Sequence, residues 1–172
     1  MRRVCLIILM VLLLATGAWG ASSQIETRST SLPGDVDTWT IAWQSHTDGT
    51  YTNYNTVWSV NGYVFTIVTD PGAAASCTAA GAPWACCTGS GAGATCTAPG
   101  DDYDITLLDA DGVDVLGGEG ADRDTANTEQ IVPKIGNTYG TRYVNGPLTL
   151  TISGLDSAVD VGEVIIYIWG GK

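Results

Sequence analysis

Residues Leu148 to Ser153 read L-T-L-T-I-S. Apolar side chains at 148, 150 and 152 alternate with hydroxyls at 149, 151 and 153. That is the two-residue period of a strand with one buried and one solvated face. A helix would need apolar positions three and four apart. Working outward, the period-2 pattern recurs and no amphipathic helix interrupts it. Downstream, Glu163–Trp169 (EVIIYIW) carries Val164, Ile166 and Ile168 on one face and Ile165, Tyr167 and Trp169 on the other. A strand apolar on both faces is expected at the centre of a sheet or against a buried contact surface. Its second face needs a cover, from the N-terminal arm, the Cys-rich segment or another chain; another chain is the cover expected.

Upstream, Asn145-Gly146-Pro147 predicts a turn. Tyr103–Leu108 (YDITLL) groups Tyr103, Ile105 and Leu107 on one face. Asp109–Gly112 predicts a turn and Val113–Leu116 the returning strand. The run 117–129 (GGEGADRDTANTE) reads as a polar loop. Gln130–Val132 reads as a short strand, placed at an edge by Pro133, which cannot donate to a ladder. Nearer the N-terminus, Thr38–Gln44 (TWTIAWQ) sets Trp39, Ile41 and Trp43 on one face. Asn61-Gly62, between TVWSV and YVFTIVT, is the strongest local turn signal, because a type I′ hairpin needs positive φ at both turn residues. It predicts pairs Val60–Tyr63, Trp58–Phe65 and Thr56–Ile67, with Trp58 packed beside Phe65.

These short strands and turns predict an all-β fold, an antiparallel β-sandwich of jelly-roll or immunoglobulin-like type. The domain is expected over 37–169. A Cys-containing, Gly/Ala-rich insertion at 71–100 interrupts it, and a loose polar arm at 21–36 precedes it. Residues 1–20 read as a secretory signal peptide. Arg2 and Arg3 precede the apolar run Val4–Ala15, and Ala18-Trp19-Gly20 offers a small-x-small cleavage site. The run is too short to span a bilayer, so no membrane span is expected after cleavage. The expected location is periplasmic, extracellular or at the cell surface.

The chain has 7 Lys and Arg against 18 Asp and Glu. That balance, with a pI near 4.1, argues against nucleic acid as a partner, since phosphate binding needs clustered cations. His46 is the single histidine, which rules out a multi-histidine metal site. It follows Ser45 directly, and neighbouring strand residues point to opposite faces, so the two are not a ready nucleophile–base pair. No catalytic residues are assigned and no enzyme is expected; no P-loop, G-x-S-x-G or H-E-x-x-H motif is present.

Asp109, Asp111 and Asp114 in LDADGVD are the carboxylates a Ca²⁺ ion would use. They lack EF-hand spacing, and Asp and Gly suit a β-turn equally, so the turn is favoured and no cofactor other than this Ca²⁺ is considered. Cys77, Cys86, Cys87 and Cys96 are expected to form two disulfides in an oxidising compartment. The pairing is 77–86 with 87–96, or 77–87 with 86–96; the strained vicinal bond is set aside, and the spacing is wrong for zinc knuckles. Tyr51 and Tyr54, among the hydroxyls and amides between Trp43 and Trp58, could stack on a carbohydrate, although loop packing is the commoner use. A protein partner or self-association is the partner expected.

The run DDYDITLLDADGVDVLGGEGADRDTANTEQIVP, followed by GPLTLTISG and GEVIIYI, resembles a group of small β-rich proteins encoded in tailed-phage and prophage structural gene modules. ACCTGSGAGATC is similar to a Cys-Cys-Thr-Gly segment of phage-associated reading frames. The resemblance spans about 101–168 and rests on turns and strands. It implies a capsid, tail or decoration role. The signal peptide departs from it, because tailed-phage virions assemble in the cytoplasm, and implies an exported host or prophage copy. No functional residue is carried over. The expectation is therefore an exported, non-enzymatic structural or surface-interaction module. The alternatives are a virion accessory (decoration or adhesion) protein and a secreted carbohydrate-binding domain.

Overall fold

The computed structural model describes residues 23–32, 35–46, 48–71, 75–76, 95–156 and 159–170. Among them there is no helix. The strands are β1 (Ser23–Leu32), β2 (Val36–Gln44), β3 (Tyr54–Asn55), β4 (Val60–Asp70), β5 (Ala75–Ser76), β6 (Thr95–Cys96) and β7 (Asp104–Leu108). They continue with β8 (Glu129–Ile131), β9 (Lys134–Ile135), β10 (Thr138–Tyr139), β11 (Arg142–Gly146), β12 (Thr149–Ser153) and β13 (Val161–Trp169). The larger sheet runs β1-β2-β13-β4-β11, and β8 pairs β4 on the edge it shares with β11. The smaller sheet is β3-β12-β7. Every ladder is antiparallel.

The two sheets face each other across one core, a sandwich-like arrangement. Trp39, Ile41, Trp43, Val64, Ile67, Val164, Ile166 and Ile168 enter it from the larger sheet. Ile105, Leu107, Leu150 and Ile152 enter from the smaller one, in directly opposed pairs Ile105↔Ile152 and Leu107↔Leu150. Trp43 ties the layers together, with its ring 6.2 Å from Tyr103 and 6.0 Å from Tyr51. Gly162 makes room for it: a Cβ there would stand 2.7 Å from the Trp43 ring and from the Asp70 carbonyl. β13 lies between β2 and β4, the central position expected from its two apolar faces.

Two expectations are corrected. Asn61-Gly62 is not a hairpin turn. Both residues lie inside β4, opposite Asn145 and Val144 of β11, and neither has positive φ. Val60 and Val64 are fully buried while Tyr63 points outward. A turn at 61–62 would have brought Val60 and Tyr63 to one face, so core burial and the β11 ladder override the local turn preference. Trp58 accordingly packs edge-on against Trp39 (6.1 Å), and Phe65 packs on Tyr167 (6.0 Å). Second, the supposed loose arm contains β1, which forms a continuous ladder with β2 from Ser23↔Gln44 to Ser29↔Thr38. The Arg28 guanidinium donates to the Asp37 carboxylate and lies over the Trp39 ring, and the Tyr54 hydroxyl donates to Glu26 at 2.8 Å.

Other expectations stand with adjusted bounds. The short strand by Pro133 is Glu129–Ile131 and lies at an edge. The 109–112 turn forms, with Gly112 at φ +77° and its N–H donating to the Asp109 carbonyl at 2.9 Å. The returning strand expected at Val113–Leu116 is an exception and does not form; the segment makes only an isolated bridge, Leu108↔Asp114. Gly146, at φ +103°, ends β11 where the chain crosses to the smaller sheet. The signal-peptide reading falls on residues outside those described.

Candidate functional site

Among the described residues, the outer face of the larger sheet, away from the core, carries the largest group of exposed rings. Tyr143 on β11 stands opposite Tyr63 on β4, Tyr63 opposite Trp169 on β13, and Trp169 opposite Val36 on β2. The three rings form a row across the strands, with centroids 5.4 Å apart (Tyr63–Tyr143) and 6.5 Å apart (Tyr63–Trp169). Tyr63 is 45% exposed, Tyr143 52% and Trp169 57%, so these large side chains keep about half of their surface in water. The Tyr143 hydroxyl donates to Asn61 Oδ1 at 2.9 Å, which fixes that ring.

A β-bulge builds the second rung. Tyr167 pairs with Thr66 but Ile168 with Val64, leaving Phe65 as the additional residue in β4. Inward positions are even before the bulge (Val60, Val64) and odd after it (Ile67, Thr69). Phe65 thus stays outward beside Tyr167. A groove of about 380 Å³ opens here, lined by Val36, Phe65, Thr141 and Trp169. Neither the row nor the rung below it contains a charged side chain.

The far end of the same face is acidic. Glu163 stands directly opposite Asp70, and burial, followed by the Asp70 charge, raises the Glu163 carboxyl above the ordinary glutamate range. Close to this end the buried Asp160 accepts from Thr97 Oγ1 at 2.9 Å, and burial again raises its pKa.

The sequence-predicted site residues are placed elsewhere. Asp109 Oδ1 accepts the N–H groups of Asp111 (3.0 Å) and Val113 (2.9 Å). Asp114 accepts those of Leu116 (3.0 Å) and Gly118 (2.7 Å). Both carboxylates are thus engaged in capping local backbone, and among the described residues no three His, Cys, Asp or Glu side chains converge as a metal site requires. Ser45 is buried, donates to the His46 carbonyl and accepts the Asp160 N–H, while His46 Nε2 lies 3.3 Å from Thr52 Oγ1. The two side chains do not meet as a catalytic pair. Tyr51 packs edge-on against the buried Trp43 with its hydroxyl pushed up by burial, and Tyr54 is held at about 12 by burial and by Glu26. These two rings belong to the core and its margin. Cys77, Cys86, Cys87 and the side chain of Cys96 lie outside the described residues, so the disulfide expectation does too.

A second cavity, of about 330 Å³, is lined by Glu119, Arg123, Gln130, Ile131, Val132 and Tyr139. Its charges are internally paired. Lys134 donates to Glu119 at 2.6 Å and Tyr139 donates at 2.9 Å, holding that carboxyl below its usual range. Arg123 is spent on the Ala121 carbonyl and Glu129.

Sequence reasoning grouped Ile165, Tyr167 and Trp169 on one face but missed Tyr63, Phe65 and Tyr143 as their neighbours. A continuous strand over 60–70 would have revealed them, since Tyr63 and Phe65 share its outward parity. No family model, curated protein or solved structure matches this chain.

Proposed function

We propose that this protein is an exported, non-enzymatic structural or surface-interaction module that works through the aromatic face of its larger sheet. The observation that carries the reading is the row Tyr143–Tyr63–Trp169, three half-exposed rings on adjacent strands. Tyr and Trp rings held together and half in water offer a concentrated apolar surface with polar tips, the kind of surface enriched at binding faces. The finer architecture we infer is a β-sandwich of jelly-roll or immunoglobulin-like type with the Cys-containing stretch 71–100 inserted between β4 and β7. The ladder Ala75↔Cys96, which brings the two ends of that stretch together, supports the insertion. The signal-peptide pattern at 1–20 supports export.

The test is fractionation of cells of the source organism carrying either the natural chain or the Tyr63→Glu/Trp169→Glu double variant. The natural chain should sediment with an envelope or particle fraction. The double variant, still folded by its melting curve, should be released to the soluble fraction. Unchanged retention of a folded variant overturns the reading. A virion accessory role is the second reading, favoured by the turn-and-strand pattern of 101–168; co-purification with phage particles rather than envelope distinguishes it.

A further inference from the structure

The occupant of the aromatic face can be narrowed by its size, its charge and the geometry of its rings. Four adjacent strands at 4.7–4.9 Å spacing and about four residues of strand length give the face an area of roughly 200–300 Å². A stable interface between two protein chains buries about 800 Å² on each. The row is thus well short of what a second copy requires. Two copies would also bring together surfaces of a chain whose formal net charge is −11, and the same charge repels anionic polymers. A narrow, uncharged ligand suffers neither penalty.

From these observations, and resting on the reading of this face as the interaction surface, we propose that Tyr143, Tyr63 and Trp169 bind a neutral glycan chain laid across the strands. The C–H faces of a pyranose are apolar and stack on the faces of Tyr and Trp rings, which carry a negative quadrupole. The ring spacings of 5.4 and 6.5 Å are comparable to the length of one sugar unit. Asn61, Asn145 and Thr141 are exposed at the margin and offer amide and hydroxyl groups to the hydroxyls of such a chain. The rings are not coplanar: Tyr63 meets Tyr143 edge to face with 63° between their planes and is tilted 43° from Trp169, so a chain crossing the row stacks on one ring face and rests on the edge of a neighbour. A twisted platform suits a single chain whose units rotate along its length, rather than the flat face of a crystalline polymer. The 380 Å³ groove beside Trp169 receives the end unit against Val36 and Phe65. It lies within the size range of small-ligand sites.

The test is calorimetric titration of the purified protein with cellohexaose and chitohexaose as neutral probes and hexagalacturonate as the anionic one. A neutral hexasaccharide should bind in the micromolar to millimolar range, and hexagalacturonate at least tenfold more weakly. Trp169→Ala and Tyr63→Ala should each weaken binding at least tenfold, whereas Tyr139→Ala, an exposed ring outside the row, should not. Melting curves establish that each variant is folded. No heat from either neutral probe at millimolar concentration overturns the inference, as does binding that survives both row substitutions. Sedimentation velocity separates this failure from failure of the underlying reading. A natural chain that binds no glycan but self-associates, and becomes monomeric on Trp169→Glu, has an interaction face whose occupant is protein. The glycan inference then falls while the interaction face stands.

Discussion

β13 presents two faces of nearly equal apolarity with opposite fates. Val164, Ile166 and Ile168 are fully buried between Trp39, Ile41, Val64 and Ile67, whereas Trp169 on the other face is 57% exposed and Tyr167 and Ile165 are half-buried. Apolarity does not separate the faces; the shape and chemistry of their side chains do. The inner face is built of branched aliphatics, which interlock with a second sheet at crystal-like density. The outer face adds to Ile165 the aromatics Tyr167 and Trp169, whose polar tips let them stand in water and still offer a flat apolar surface. The first is chemistry for a permanent core; the second suits the reversible contact proposed above.

The largest effects should come from the inner face. Trp43→Ala removes the side chain that joins both sheets and should cost about 3–5 kcal/mol in urea or thermal unfolding. A loss below about 1 kcal/mol would show that the layers do not depend on it. Ile166→Ala should cost roughly 2–5 kcal/mol by the same measurement. The outer neighbour Trp169→Ala should cost less than about 1 kcal/mol, because much of that ring stays hydrated. If the two substitutions proved equally damaging, the distinction between core face and contact face would collapse.

A subtler contrast lies in pH. Glu163, at the acidic end of the outer face, has its pKa raised by burial and by the Asp70 charge above the ordinary glutamate range. The folded state therefore holds its proton where the unfolded chain has released it. Stability should fall as pH rises from the unfolded value through the raised one, and remain lower above it. Glu163→Gln should flatten that decline and raise the melting temperature at pH 7 relative to the natural chain, with little change near pH 3. A steeper decline in the variant would reverse the sign of the argument. The smallest effect is expected for Tyr143→Thr, within about 0.5 kcal/mol of the natural stability.

The strands that the sequence made legible are those with one buried face and an uninterrupted ladder. Thr38–Gln44, Asp104–Leu108 and Leu148–Ser153 alternate because one side of each meets the core. The turn at Asp109 was legible because the Asp109 carboxylate itself caps the backbone at Asp111 and Val113, a local device that sequence carries locally. β4 was misread because its bulge at Phe65–Thr66 inverts the alternation, and because Asn61-Gly62 mimics a turn whose alternative, pairing with β11, lies some eighty residues away. β1 was hidden because its residues are polar and its stability comes from a ladder rather than from periodicity. The candidate site was illegible as a whole. Tyr63, Tyr143 and Trp169 sit on three strands far apart in sequence, and only the sheet order makes them adjacent.

That sheet order also has a kinetic side. β13 is the last described strand to leave the ribosome, yet it is the one against which β2 and β4 both form their ladders. Until residues 161–169 emerge, the larger sheet has no middle, and β2 and β4 wait with apolar faces unsealed. Closure then depends on contacts of long sequence separation, which places folding in the slow, millisecond-to-second class typical of β-topologies. Under the export proposed above, such lateness would keep the chain extensible while it threads a narrow channel. The event that ends that extensibility is the arrival of β13, on which the ladders of β2 and β4 both close.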